Sequence, residues 1–482
     1  MSLARAVGRN TIIQFTGKIL GTGLGLLTSV LVLRYLHVDG NGAYTTAMAY
    51  TGFFSVVADL GLYLILIRDL NKPGADVERI TGNLLALRWL SALMILGFGA
   101  GLVTLFHFSP QEQVAVLIAT GSFIAVAATQ LLVGIFQSRI TMWPVTLAEL
   151  IGRTVLVVMT WWVVHHHGGL YGVLVAVVSG SLINLLIVWW SARRFVRLHL
   201  YFDWPYWRHT LRDTLPIAAS IILNLIYFRA DTIILRIYKG DHDVGLYGAA
   251  YKILEILNTF PIMFVGLVLP ALGAAFATSN TQRFREIFQK GFDLLLMAAV
   301  PLVVGGSMLA QPLLIFLGRQ EYAPAAPVLR LLLVAVGALF LGSLSGHTVT
   351  IINRQRQMVW SYLSVAVIGL IAYLTLIPRF SLYGAATGTI LTETLTATVG
   401  YILITRVMHF RLSWRILWPI IVSTAGLIAT LWLLRHQEFL LVASAGVVMY
   451  IGLLFVTRAV SPHLIGELFG RPSSTVETLP EE

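Results

Sequence analysis

The sequence predicts an all-α integral membrane protein of about fourteen transmembrane helices: two pseudo-repeated six-helix lobes followed by two further helices. Three observations predict it. Apolar residues make up 57% of the 482-residue chain and charged residues only 11%, with a mean hydropathy of +0.82; a soluble domain carries about 25% charged residues. Long apolar stretches fill nearly the whole chain, each near the roughly 20 residues that cross a bilayer core of about 30 Å. Sequence markers in the first half recur in the second at a nearly constant offset.

In chain order the stretches lie at 10–36, 41–67, 80–106, 112–138, 143–164, 170–191, 214–237, 244–272, 291–316, 324–352, 357–378, 382–405, 416–434 and 438–458. Each is expected to be helical, because backbone polar groups in hydrocarbon have no water to bond. Span 1 carries Gly17, Gly21 and Gly25 at spacing four, with Gly23 beside them. That spacing favours close helix packing in a membrane, with a hinge as the other reading. The gap between spans 6 and 7 holds Arg193, Arg194, Arg197, Arg208 and Arg212 among Tyr201, Trp204, Tyr206 and Trp207. Basic and aromatic residues so mixed predict an amphipathic segment on the inner leaflet. It divides the chain into a first lobe (1–191), a cytoplasmic amphipathic linker (192–213), a second lobe (214–405), and two extra helices with a tail (406–482).

The lobes share markers. Leu33-Arg34 closes span 1 and Leu235-Arg236 closes span 7; Gly42-Ala43-Tyr44 opens span 2 and Gly245-Leu246-Tyr247 opens span 8. A repeat of six spans, an even number, keeps its direction, so the halves are related by an axis along the membrane normal.

The formal charge of +11 is a topology signal. Alternate gaps beginning with the N-terminus hold 21 Lys and Arg; the intervening ones hold 6, with Arg34 and Arg236 assigned to them. The positive-inside rule then places both termini in the cytoplasm, in a plasma membrane whose anionic lipids suit the basic side. Nucleic acid is not an expected partner. There are no cysteines, hence no disulfides and no thiolate metal site. Gly17-Lys18 lacks the rest of a phosphate-binding loop, and neither H-E-x-x-H nor G-x-S-x-G occurs. Adjacent imidazoles at His165-His166-His167 point apart on a helix and make a poor metal site. No catalytic residue, metal or resident cofactor is expected, and the chain does not read as an enzyme.

What remains is charge inside the spans, where it is costly and marks function or pairing. The bases are Lys18, Arg88, Arg153, Arg229, Lys252 and Arg330; the acids are Asp59, Glu149, Asp231, Glu255, Asp293 and Glu393. Glu149 with Arg153, and Lys252 with Glu255, have helical pairing spacings. Asp59 and Arg88 share one depth and can pair or snorkel, and Asp293 and Arg330 lie near enough to span ends to snorkel. Asp231 cannot face Arg229 two residues away, so it needs a partner on another helix. Glu393 is mid-span without a charge within a turn, which makes it a candidate proton or cation carrier. A cationic cavity attracts an anion, and phosphate or diphosphate is the usual anion in this setting.

The segments VLRYLHVDGNGAYTTAMAYTGFFSVVADLGLYLILIRDL and NLIYFRADTIILRIYKGDHDVGLYGAAYKILEIL, with Pro261 and Pro270 after them, resemble the oligosaccharide flippase and polysaccharide-export family of the multidrug/oligosaccharidyl-lipid/polysaccharide exporter superfamily. The resemblance implies two lobes around a V-shaped cavity and alternating access. It implies translocation of a polyprenyl-diphosphate-linked oligosaccharide for surface polysaccharide export. Lys18, Arg153, Arg229 and Lys252 are then the candidates for the diphosphate and glycan. Asp59, Glu149, Asp231, Glu255 and Glu393 are candidates for H+ or Na+ coupling or charge pairing. A polysaccharide polymerase and glycosyltransferases are candidate partners beside the lipid-linked glycan and membrane lipids. An ion-coupled multidrug exporter of the same fold and a lipid II flippase are the alternatives.

Overall fold

A computed structural model describes residues 3–105 and 108–459, without the side chains of 3–12, 215–229 and 356. The described residues form fifteen α-helices and no strand. They are α1 (Leu3–Asp59), α2 (Leu62–Leu70), α3 (Val77–Leu102), α4 (Pro110–Ser138), α5 (Trp143–His165), α6 (Gly169–Ala192) and α7 (Trp204–Lys239). The second set is α8 (Asp241–Ala277), α9 (Thr281–Met308), α10 (Ala310–Gly318), α11 (Ala326–Ile351), α12 (Gln355–Phe380), α13 (Leu382–Met408), α14 (Leu417–Leu433) and α15 (Phe439–Val456).

Fifteen helices supply fourteen crossings because breaks and spans do not coincide. Helix α1 reverses at His37, whose φ of 57° and ψ of −173° interrupt it, so its two arms are spans 1 and 2. Span 2 runs on into α2 past a break at Leu60 and Gly61, both with positive φ. Helices α9 and α10 share span 9. Span 7 starts ten residues earlier than its apolar stretch, at Trp204. The segment expected to be an amphipathic linker is irregular over 197–203 and helical from Trp204. Arg79 pins it to α3 through Asp203 at 2.6 Å, and Trp207 Nε1 donates to the Asn83 carbonyl. The Arg79 guanidinium, with the Tyr206 amide, holds the Asp203 carboxyl below its ordinary range.

Two groups of helices follow from the packing. In the first, α1 packs on α3, α4, α5 and α6, and α6 on α4 and α5, around Leu84, Leu132 and Phe136. In the second, α11 packs on α8, α9 and α13, and α12 on α7 and α13, around Phe288, Leu329 and Phe340. Helices α14 and α15 pair with each other and dock on α9. Apolar side chains cover the periphery as well: Phe98, Trp432 and Val448 are each more than half exposed, as expected of a surface that meets lipid tails.

The first group is tied by Arg88, fully buried at 1% exposure. It pairs with Asp59 at 2.7 Å and donates to the carbonyls of Ala58 and Ala127 and to Gln130. It thus satisfies a carbonyl freed where α1 breaks before α2. Arg88 is packed between three helices and does not snorkel. Removing one member of a buried pair leaves the other uncompensated. Arg88→Met should therefore destabilise the purified protein by about 3–5 kcal/mol in denaturant unfolding; a change below about 1 kcal/mol would refute this role.

Candidate translocation site

The two groups meet mainly through α1, which contacts α7, α8 and α10; among the described residues α5 and α6 make no substantial contact with α9–α15. The contact follows the internal repeat. The turn at His37 has its counterpart at Gly240, with φ of 89° and ψ of −175°. Beyond these turns span 2 crosses α8. A Cβ on Gly42 would overlap the backbone of Asp241, and one on Gly245 would overlap the carbonyl of Val38. Asn41 donates to the Gly245 carbonyl at 2.9 Å. Asp39 and His242, 203 positions apart, pair at 2.9 Å. Equivalent residues of the two repeats thus touch across a pseudo-twofold axis.

Longer side chains complete a latch at this end. Arg236 holds Glu112 of α4 in a bidentate pair at 2.5 and 2.6 Å and lies 2.9 Å from Asp241. Glu112 is 1% exposed and caps α4 reciprocally with Ser109. In the other repeat Arg34 donates to the carbonyls of Phe316 and Leu317 at the end of α10. His37 pairs with Glu321 at 3.0 Å, and the Tyr322 hydroxyl donates to the His37 carbonyl at 2.8 Å. These last bonds hold the left-handed His37, a conformation sparsely populated by residues other than glycine.

Away from the latch lie the predicted cations. Thr146 and Arg153 of α5 sit against Gly17 and Gly21 of α1, so the glycine spacing serves packing; Gly23 faces open space. Arg153 pairs with Glu149 at 2.9 Å and donates to the Gly21 carbonyl at 2.9 Å. About a third of its side chain is exposed, so a five-donor guanidinium keeps donors for an anion. Lys18 is exposed on the next turn of α1. Lys252 pairs with Glu255 at 3.0 Å and is 47% exposed; both act electrostatically on Tyr44 of α1 across the junction. Both intrahelical pairs thus form, and Asp59 serves Arg88. The side chain of Arg229 lies outside the described residues.

The second group buries a separate polar network. Asp231, 1% exposed, accepts from the Tyr247 hydroxyl at 2.6 Å and from the amide and hydroxyl of Thr232. Tyr247 and Tyr373 each approach Thr389, at 3.3 and 3.4 Å. Glu393, one turn along α13, is 5% exposed and acts electrostatically on Tyr373 and Tyr362. Asp231 thus has its partner on another helix. Of the remaining span charges, Asp293 accepts from Gln289 and Arg330 donates to the Ser307 carbonyl. His165 and His166 stack on Trp161 and Trp162, and no group of three metal-ligating side chains occurs among the described residues.

Sequence reasoning missed the latch. Glu112 carried one available signal, the Ser109-x-x-Glu112 capping pattern, but nothing local joins it to Arg236.

The sequence profile described as polysaccharide biosynthesis protein matches residues 7–276, and the MatE profile matches 216–378. The chain is 23% identical over 388 residues to the succinoglycan biosynthesis transport protein ExoT of Rhizobium meliloti, covering 77% of this chain and 74% of that one. It is 22% identical over 409 residues to the probable flippase AglR of Haloferax volcanii, covering 81% of each. Among solved structures, lipid II flippase MurJ in an inward closed conformation superposes with a TM-score of 0.76 at 14% identity, over 93% of this chain and 99% of that one. A multidrug resistance MATE family transporter in an inward-facing conformation gives 0.67 at 16% identity, over 83% and 98%; an outward-facing one gives 0.58 at 15%, over 84% and 95%.

Proposed function

The chain belongs to the polysaccharide biosynthesis protein family, and from that premise we propose that it is a flippase moving a polyprenyl-diphosphate-linked oligosaccharide across the plasma membrane. The observation that carries this reading is a set of partly exposed bases on helices of both groups. Arg153 of α5 bonds to α1, Lys18 is exposed on α1, and Lys252 of α8 stands across the junction from Tyr44. Arg and Lys suit a diphosphate, while a site for cationic drugs calls for the opposite excess. The names of the relatives in R. meliloti and H. volcanii, a transport protein and a flippase, support the same direction.

In this proposal the latched end faces outward and both termini are cytoplasmic, in keeping with the 21 basic residues on the opposite side. The headgroup enters from the cytoplasm between the lobes while the polyprenyl tail stays in lipid. Opening the Arg236–Glu112 and Arg34 contacts releases it outside. The Asp231–Tyr247 network and Glu393 are where we place H+ or Na+ coupling, since they gather carboxyl, phenol and hydroxyl oxygens in one lobe. The polymerase and glycosyltransferases that handle the same glycan are the partners this implies.

Thermal stability of the purified protein tests it, because a ligand that binds the native state stabilises it by about 2.7 kcal/mol at 100 times its Kd. A polyprenyl-diphosphate sugar should raise the melting temperature where the polyprenol alone and a lipophilic cation do not. Stabilisation by the lipophilic cation alone would assign drug export. A preference for lipid II over other diphosphate-linked glycans would assign peptidoglycan precursor transport.

A further inference from the structure

A second lipid-facing feature lies outside this path. The first turns of α5 and the last turns of α6 enclose a depression of about 130 Å³, lined by Trp143, Leu147, Ile187, Trp190, Arg194 and Phe195 among others. It is at the end opposite the latch. Leu147 lies about 100°, and Trp143 about 60°, round α5 from Thr146, which packs on α1. The groove therefore opens on the periphery of the first group and away from the junction with α8. Its lining is apolar apart from Ser191 and Arg194, and no carboxylate contributes.

We propose that this groove binds an anionic phospholipid of the inner leaflet, with an acyl chain between the tryptophans and the phosphate on Arg194. Three facts argue for that occupant. Trp143 and Trp190 are 46% and 61% exposed although apolar, at a level where tryptophan marks the membrane interface. The Arg194 guanidinium stands 4.6 Å from the centre of the Trp190 ring, so its stem lines the groove while its head reaches the polar layer. Arg193 and Arg197 are exposed beside it, and each basic residue near an anionic surface favours the anionic lipid by about fivefold. The charge of the rim and the apolar floor together match one amphiphile.

Native mass spectrometry of the full chain with equimolar phosphatidylglycerol and phosphatidylcholine tests this. The wild-type protein should retain phosphatidylglycerol preferentially, and Arg194→Gln should lower that preference about fivefold. Arg435→Gln is the control: Arg435 stands 5.0 Å over Trp432 at a helix end and is not among the residues lining this groove, so it should leave the preference unchanged. Leu147→Trp, which fills the groove from a 45% exposed position, should lose bound lipid of both kinds. An equal fall in both arginine variants, or full retention in Leu147→Trp, overturns the site. Displacement of phosphatidylglycerol by polyprenyl phosphate at equal concentration also overturns it, assigning the groove to the substrate tail.

Discussion

Gly245→Leu, or Gly42→Leu, should prevent the latched end from closing and lower translocation at least tenfold. A side chain at either position meets the opposing helix backbone, the Val38 carbonyl in one case and Asp241 in the other. A crowded side chain can change rotamer, but a crowded backbone forces the helices apart. Ordinary overpacking costs about 1–3 kcal/mol, or about five- to 150-fold in the closed population. The Asn41, His242 and Arg236 contacts bridge the same crossing, so they open with it. The chain has no native cysteine, so Asp39→Cys with His242→Cys gives a background-free pair for a short thiol-to-thiol reagent. Cross-linking should be efficient in that background and fall about tenfold when Gly245→Leu is added. Gly23→Leu, where a Cβ has nothing within 4 Å, should do neither. Undiminished cross-linking in both glycine variants would refute the crossing as the closure point.

The same glycines show what a sequence conveys. Gly42 and Gly245 were visible as repeat markers because a repeat is a relation along the chain. That they touch is a relation across it, and hydropathy does not say which helix faces which. The number of crossings was legible because apolar length is insensitive to the breaks at Leu60–Gly61 and Leu309 that split spans 2 and 9. The pairs Glu149–Arg153 and Lys252–Glu255 were legible because helix geometry dictates three- and four-residue neighbours. Arg236–Glu112, 124 positions apart, obeys no such rule. Glu393 stood out as a lone mid-span acid, but its neighbours Tyr373 and Tyr362 come from α12 and carry no local signal. The reversal at His37 falls in the 37–40 gap between spans 1 and 2, but its conformation carries no local signal: a non-glycine residue occupies a left-handed turn there, held by tertiary bonds to Glu321 and Tyr322.

Arg153→Ala should reduce transfer of a polyprenyl-diphosphate sugar in reconstituted vesicles by about ten- to 150-fold, with the amount of folded protein little changed. A hydrogen bond to a charged group contributes about 1.5–3 kcal/mol, which sets that range. The folded state loses less, because the Glu149 left behind is 35% exposed, and the one bond to another helix that Arg153 makes among the described residues goes to the Gly21 carbonyl. Arg153→Lys should recover part of the rate, since a lysine keeps the charge but cannot offer two parallel donors. Glu149→Gln separates the rival chemistries. For an anionic cargo it unpairs the guanidinium and should keep or raise transfer; for a cationic cargo it removes an attractive charge and should lower it. Normal transfer by Arg153→Ala together with impaired transfer by Glu149→Gln would move the assignment to cation export. Lys252→Ala and Glu255→Gln repeat the test on α8, so a diphosphate held between the lobes requires both arms to agree in sign.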